Sequence, residues 1–368
     1  FSDNADFDYA GSDGENIAIF SPDRVVVDDG EDACEDAGAC DNQYTFSGIE
    51  KTISRSYADE DNPILINIVA VDDARFPIQV SDYISLDGGI GNRDDVVIDI
   101  EDQGTGFRIE NTEGTKIKNL TLKNGNGDSG GALYAKDTDM AIESVAFSSN
   151  VSSDGGAIRI ERSDYRNDDT VRIVNSIFDG NSSGGERGGA VTSIRGNVQF
   201  TNTEFKNSQV AAEGEIGKGG HIYALGGNIN IEDTDFHGNP FGIFGTAAFG
   251  TYGGMIFIDH DSERQARGDD RGADHNVYNG NQQNSTGADP VTNGGAVWVR
   301  ESTNFINCNF VNNIAEFGGA IYVGTTADGL AVDVTFINCT IANNVALGLG
   351  GGIYVEQTAG QGVTLINS

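Results

Sequence analysis

Residues 294–322 read GGAVWVRESTNFINCNFVNNIAEFGGAIY. The stretch leaves one Gly-Gly pair, passes Phe310-Val311-Asn312-Asn313, and arrives at a second pair, Gly318-Gly319. Each pair is followed by a small residue and an apolar run, Ala296-Val297-Trp298 in the first case and Ala320-Ile321-Tyr322 in the second. Working outward, the same element stands at Gly130-Gly131, Gly155-Gly156, Gly188-Gly189, Gly219-Gly220, Gly253-Gly254 and Gly351-Gly352. Between these pairs runs an aromatic-x-x-Asn element. It appears as Phe147 to Asn150, Phe178 to Asn181, Phe205 to Ser208, Phe236 to Asn239, Tyr278 to Asn281, Phe310 to Asn313, and with Ile341 in the aromatic place, Ile341 to Asn344. Two motifs that keep their order through so many returns mark a chain of stacked structural repeats.

The segments between the motifs alternate with period two, as in Val171, Ile173 before Ile177, Asn228-Ile229-Asn230-Ile231, and Val332, Val334, Phe336. Short alternating runs bounded by Gly and Asn are strands. No single repeat can bury its own apolar face. Coils stacked about 4.8 Å apart bury a continuous core and pair every strand with its neighbours. The sequence thus predicts an all-β chain, a parallel β-helix or β-solenoid. The Gly-Gly pair turns the chain where neighbouring coils leave no room for a Cβ. The aromatic residue points inward and stacks on its equivalent, and the Asn sits at a corner, where its amide ladders with adjacent coils. Phe147, Asn150, Phe178, Asn181, Phe205, Phe236, Asn239, Tyr278, Asn281, Phe310, Asn313 and Asn344 are therefore read as fold determinants.

Composition agrees with this. Of 368 residues, 51 are Gly and only 5 are Pro, so the turns are made with Gly and Asn, which tolerate the left-handed region. Asp and Glu number 57 against 22 Lys and Arg, a formal charge of −35. That balance excludes nucleic acid as a partner, which demands a basic footprint. It suits a saline medium, a calcium-rich one, or both. No window approaches the ~20 apolar residues needed to span a bilayer. Phe1-Ser2-Asp3-Asn4 reads as a mature end left by signal-peptide removal.

The Gly-Gly-Ala-Ile and Phe-x-x-Asn pair resembles the repeats of chlamydial polymorphic outer-membrane proteins and related secreted proteins, over about residues 104 to 368. Ser85-Leu86-Asp87-Gly88-Gly89, Val97-Ile98-Asp99 and Ile117 to Gly125 are similar to the opening coils of that group. Cys40 through Ile53 resembles the N-terminal segment often called CSLREA. The resemblance implies a right-handed β-helix at a cell surface or outside the cell, used in adhesion or surface assembly. Independently of it, Ser47-Gly48-Ile49-Glu50 is a capping box, with Phe46, Ile49 and Ile53 on one helical face. A short capping helix is expected there, ahead of Ile64-Leu65-Ile66-Asn67-Ile68 as first strand. Residues 1–63 then form an N-terminal extension and cap. Residues 64–368 form the parallel β-helix, with an insertion at about 259–293.

That insertion holds the densest candidate chemistry. Asp259, Asp261, Asp269, Asp270 and Asp274 are hard oxygen ligands that suit Ca²⁺, against the alternative of a solvated polar loop. Asn284 is the sequon best placed for a glycan, because Asn150 and Asn181 are ladder positions. Cys34 and Cys40 flank a short acidic loop that a disulfide can close. Cys308 and Cys339 occupy matching repeat positions. Spacing permits a disulfide between them while in-register parallel geometry strains it, so stacked thiols are expected. His221 takes the Ala place in its repeat and reads as a packing variant.

Two functions compete. The first is an extracellular structural or adhesive surface protein, with cell-surface and glycan partners, or with head-to-tail self-association into a filament or surface layer if the uncapped last coil is an open edge rather than the end of a fragment. The second is a secreted polysaccharide lyase or glycoside hydrolase, since such enzymes share the architecture. It needs acidic residues at matching positions of neighbouring coils beside an Arg. Asp259, Asp261 and Arg264 or Arg271 are the only passable set, and they lie in the insertion, so no catalytic residue is assigned.

Overall fold

The computed structural model describes residues 18–21, 24–27, 60, 64–67, 76–89, 92–164, 168–210, 217–237, 256–259, 276–279, 282–284, 291–326, 331–356 and 362–368. These form a parallel β-helix, all β among the described residues. One coil runs through four strands. Leu133–Lys136 lies in the sheet that follows each Gly-Gly pair (the Gly-Gly sheet), Met140–Glu143 in a middle sheet, Ala146–Ser148 in the aromatic sheet, and Val151–Ser152 is a short fourth side. The next coil repeats the course with Ile158–Glu161, Thr170–Val174, Ile177–Asp179 and Ser182–Ser183. Equivalent strands pair parallel and in register, Leu133 with Ile158, Met140 with Val171, Phe147 with Phe178, and Ser152 with Ser183. Repetition builds a 10-stranded Gly-Gly sheet, a 13-stranded middle sheet and a 9-stranded aromatic sheet.

The corners explain the sequence. Most are backbone kinks through the left-handed region, which Gly, Asn and Asp enter most readily. Around one coil the kinks fall at Gly130, Asp137, Ser144 and Ser149, with φ of 65°, 47°, 56° and 56°. From Lys118 onward the corner joining the middle and aromatic sheets is always two residues, and its first residue is left-handed wherever described. Asn119, Asn175, Asn202, Asp233, Asn307 and Asn338 all stand there. The two glycines of a pair serve different needs. Gly188 has φ 47°, while a Cβ on Gly189 would lie 2.1 Å from the Gly220 carbonyl oxygen of the next coil.

The interior is one continuous apolar cluster. Phe147, Phe178, Phe205 and Phe236 are fully buried and stack face to face, with successive centroids 4.7, 4.6 and 4.9 Å apart. Beside them the corner amides form a ladder. Asn150 Oδ1 accepts from Gly125 N–H at 3.0 Å, and Asn150 Nδ2 donates to Leu122 O at 3.1 Å. Asn313 and Asn344 repeat the arrangement, with Asn313 N–H and Nδ2 both donating to Asn344 Oδ1 at 2.9 Å. Buried amides survive here because every coil supplies the partner that burial would otherwise deny them.

Two expectations need correcting. Tyr278 does not continue the aromatic ladder. Its strand, Asn276–Asn279, belongs to the middle sheet, where Tyr278 registers with Ile231 and Phe305. Gln283, in Gln282–Asn284, takes the rung between Phe236 and Phe310. Nor is Ile64–Asn67 the first strand of its sheet. Arg24–Val27 pairs parallel to it, and Ala18–Ser21 pairs antiparallel to Arg24–Val27, so part of the N-terminal extension joins the solenoid. Of the insertion at 259–293, residues 276–279, 282–284 and 291–293 are strands of the coil, and 260–275 lie outside the described residues. The expected helix over 46–53 lies outside the described residues, as do Cys34, Cys40, Asn239 and Asn281.

Candidate functional site

The Gly-Gly sheet has two faces because successive side chains of a strand point oppositely. Leu133 and Ala135, Ile158 and Ile160, Ile222 and Ala224, Ile256 and Ile258, and Val297 and Val299 enter the interior cluster. The residue between each pair points outward. Strand register aligns these outward residues into one column: Arg108, Tyr134, Arg159, Thr192, Tyr223, Phe257, Trp298, Tyr322 and Tyr354.

The column has two chemical halves. Toward the first coils it is charged. The Arg108 guanidinium lies 4.6 Å from the centre of the Tyr134 ring and pairs with Glu110 at 2.5 Å. Arg159 pairs with Asp154 and, at 3.1 Å, with Glu161, whose carboxylate also accepts from the Tyr134 hydroxyl at 3.3 Å. Burial, then the facing Glu161 charge, pushes the Tyr134 phenol up to about 12. Toward the later coils the column is aromatic. Tyr223 stacks on Phe257 at 5.5 Å, and Trp298 meets Phe257 edge-on at 4.5 Å and Tyr322 at 5.5 Å. Tyr354 follows Tyr322 at 5.0 Å. Arg187 and Arg300 lie 5.2 and 5.8 Å from the Tyr223 and Trp298 rings. Tyr223 and Phe257 are buried, whereas Trp298 and Tyr354 are half-buried and reach solvent.

Such a column offers ring edges and faces for apolar contact and guanidinium donors for oxygen acceptors. The Tyr and Trp were visible beside the Gly-Gly pairs in the sequence. A run such as Leu133-Tyr134-Ala135 is apolar throughout, however, and does not declare which residue points out.

The other candidate residues fall elsewhere. Asp259 ends the strand Ile256–Asp259, in register with Leu225, while Asp261, Asp269, Asp270 and Asp274 lie outside the described residues. Among the described residues no three His, Cys, Asp or Glu side chains converge as a metal site. Asn284 ends the strand Gln282–Asn284 in the aromatic sheet, in register with His237. His221 is fully buried, its ring 5.9 Å from Phe205 and 6.0 Å from Phe236. Cys308 and Cys339 are buried thiols, not joined by a disulfide. Among the described residues no helix is long and apolar enough to cross a membrane.

No curated protein matches the chain, and no solved structure matches it. One family does. Residues 338–356 match the Chlamydia polymorphic membrane protein (Chlamydia_PMP) repeat. The matched stretch starts at the left-handed Asn338, passes Ile341 and the ladder amide Asn344, and ends with the strand Ile353–Val355 of the Gly-Gly sheet. The family is one of outer-membrane and surface proteins. This coil, with its kink, its ladder amide and its Gly-Gly turn, is thus a repeat of the Chlamydia polymorphic membrane protein type.

Proposed function

We propose that this chain is a cell-surface scaffold that holds a rigid contact face, the outward column of the Gly-Gly sheet, toward the glycans of another surface. The repeat type at 338–356 supports the surface location. The observation that carries the contact role is the half-buried pair Trp298 and Tyr354, flanking Tyr322 on a sheet whose opposite face already fills the core. Rings that the fold does not need inside are held in line by strand register and need no ordering when a ligand arrives. Aromatic rings cover the apolar faces of sugars, and Arg300 supplies donors beside them.

The test is binding of the intact chain to an array of immobilised glycans, beside Trp298→Ala and Tyr354→Ala variants. Retention of a glycan class by the parent and its loss in both variants, with unchanged circular dichroism, supports the reading. Equal binding by parent and variants, or no binding at all, sinks it.

A further inference from the structure

The corner between the middle and aromatic sheets carries a second column, set by its second residue. Its members include Val145, Ser176, Thr203, Thr234, Cys308 and Cys339. From Ser176 onward its described members are small donors. Ser176 Oγ donates to Val174 O at 2.9 Å, Thr234 Oγ1 to Glu232 O at 2.9 Å, and Cys308 Sγ to Ile306 O at 3.3 Å, each two residues back. A thiol thus stands where Ser176, Thr203 and Thr234 place a hydroxyl, and it does so in two successive coils.

The stacking is direct. Ile306 registers with Ile337 and Asn309 with Thr340, so the two corners between them superpose. Asn307 N–H donates to Ile337 O and Thr340 N–H to Cys308 O, both at 2.9 Å. Coil spacing of about 4.8 Å puts the two Cα atoms inside the ~4.4–6.8 Å that a disulfide spans. Parallel, in-register strands usually aim their side chains side by side. Here Cys339 Sγ reaches across the coil boundary and donates to Phe305 O at 3.3 Å, while Cys308 Sγ donates to Ile306 O, the next carbonyl of the same strand. The neighbouring Cys308, against burial, draws the Cys339 thiol down to about 7. Both are 4% exposed or less, so reagents reach them only through local opening.

We infer that Cys308 and Cys339 are a modification site, a dithiol that a small-molecule disulfide converts into a bond stapling two successive coils. The Cys339 thiolate attacks one sulfur of the reagent, forming a mixed disulfide and releasing one reagent thiolate. Cys308 then attacks the Cys339 sulfur, loses its proton to that thiolate or to solvent, and expels the second reagent thiolate. The protein loses two hydrogen atoms and the reagent gains them as two thiols.

The experiment incubates the reduced, folded chain with oxidised glutathione, quenches with acid, then denatures, alkylates and maps peptides by mass. The expected product is a cross-linked peptide joining Cys308 to Cys339 with neither residue alkylated. In Cys308→Ser, whose hydroxyl fits the column, Cys339 instead accumulates as the glutathione mixed disulfide. Alkylation of both cysteines in the parent, or glutathionylation of each without a cross-link, overturns the inference.

Discussion

Asn181 Oδ1 accepts two hydrogen bonds from Asn150 of the preceding coil, one from its backbone N–H and one from its Nδ2, each at 3.0 Å. Its own Nδ2 donates to Phe147 O at 2.9 Å. One side chain therefore satisfies three polar groups of another coil in a place that water does not reach. Asn181→Ala strands all of them, and a buried polar group without a partner costs about 1–3 kcal/mol. The expected loss is about 2–4 kcal/mol of unfolding free energy, read from the shift of the urea midpoint.

Gly189 tests the backbone approach. With Gly220 O at 2.1 Å and Gln209 O at 2.5 Å from an added Cβ, the obstacles are main chain of the neighbouring coil and cannot swing aside. Gly189→Ala should destabilise the chain by more than about 3 kcal/mol. Gly184→Ala, whose Cβ meets only Ser152 O at 3.8 Å, should stay within about 1 kcal/mol. Thermal unfolding of the two variants separates them.

The inner and outer aromatic columns should respond oppositely. Phe178→Ala removes a ring stacked on both sides and should cost about 3–5 kcal/mol. Tyr354→Ala removes a half-buried ring outside the core and should cost about 1 kcal/mol or less, while abolishing glycan retention. Denaturation and array binding on the same two proteins give the contrast.

Tyr134 gives a pH signature. Its phenol is raised to about 12 from the model-compound value of 10.0, first by burial and then by Glu161, so the fold favours the neutral form. Its contribution to stability is complete below pH about 10 and is lost as pH rises through about 12. Wild type and Tyr134→Phe should therefore differ in stability by a constant amount up to about pH 10, above which wild type loses stability relative to the variant. Tyrosinate absorbance should lose its step near 12 in the variant.

The fold was legible because its demands are on the backbone. A left-handed kink every few residues favours Gly and Asn, and close coil contact at Gly189 admits only Gly, so the architecture is written in residue types. Tyr278 misled because Tyr278-Asn279-Gly280-Asn281 satisfies the aromatic-x-x-Asn spacing by composition. The two-residue corner was the better guide. Counting from Asn279 makes 280–281 a corner and places Gln282–Asn284 in the aromatic sheet, where register puts it. The outer column stayed hidden for another reason. Tyr223 lies between Ile222 and Ala224, and only the three-dimensional alternation says that the two small neighbours go in and the ring goes out.

The corners also differ in what lengths they accept. From Lys118 onward, every described passage from the middle to the aromatic sheet takes two residues, while the passage from the Gly-Gly sheet to the middle sheet takes two at 195–196, three at 137–139 and four at 111–114. One residue more or less at the fixed corner would slip the next strand by one and turn its apolar side chains to solvent. Length variation among the repeats therefore falls away from that corner, at the passage onto the middle sheet and at the turn back to the Gly-Gly sheet, which spans 153–157 in one coil and 184–190 in the next. One corner keeps the register and the others take up extra length without disturbing it, much as a printed margin stays constant while the text beside it is revised.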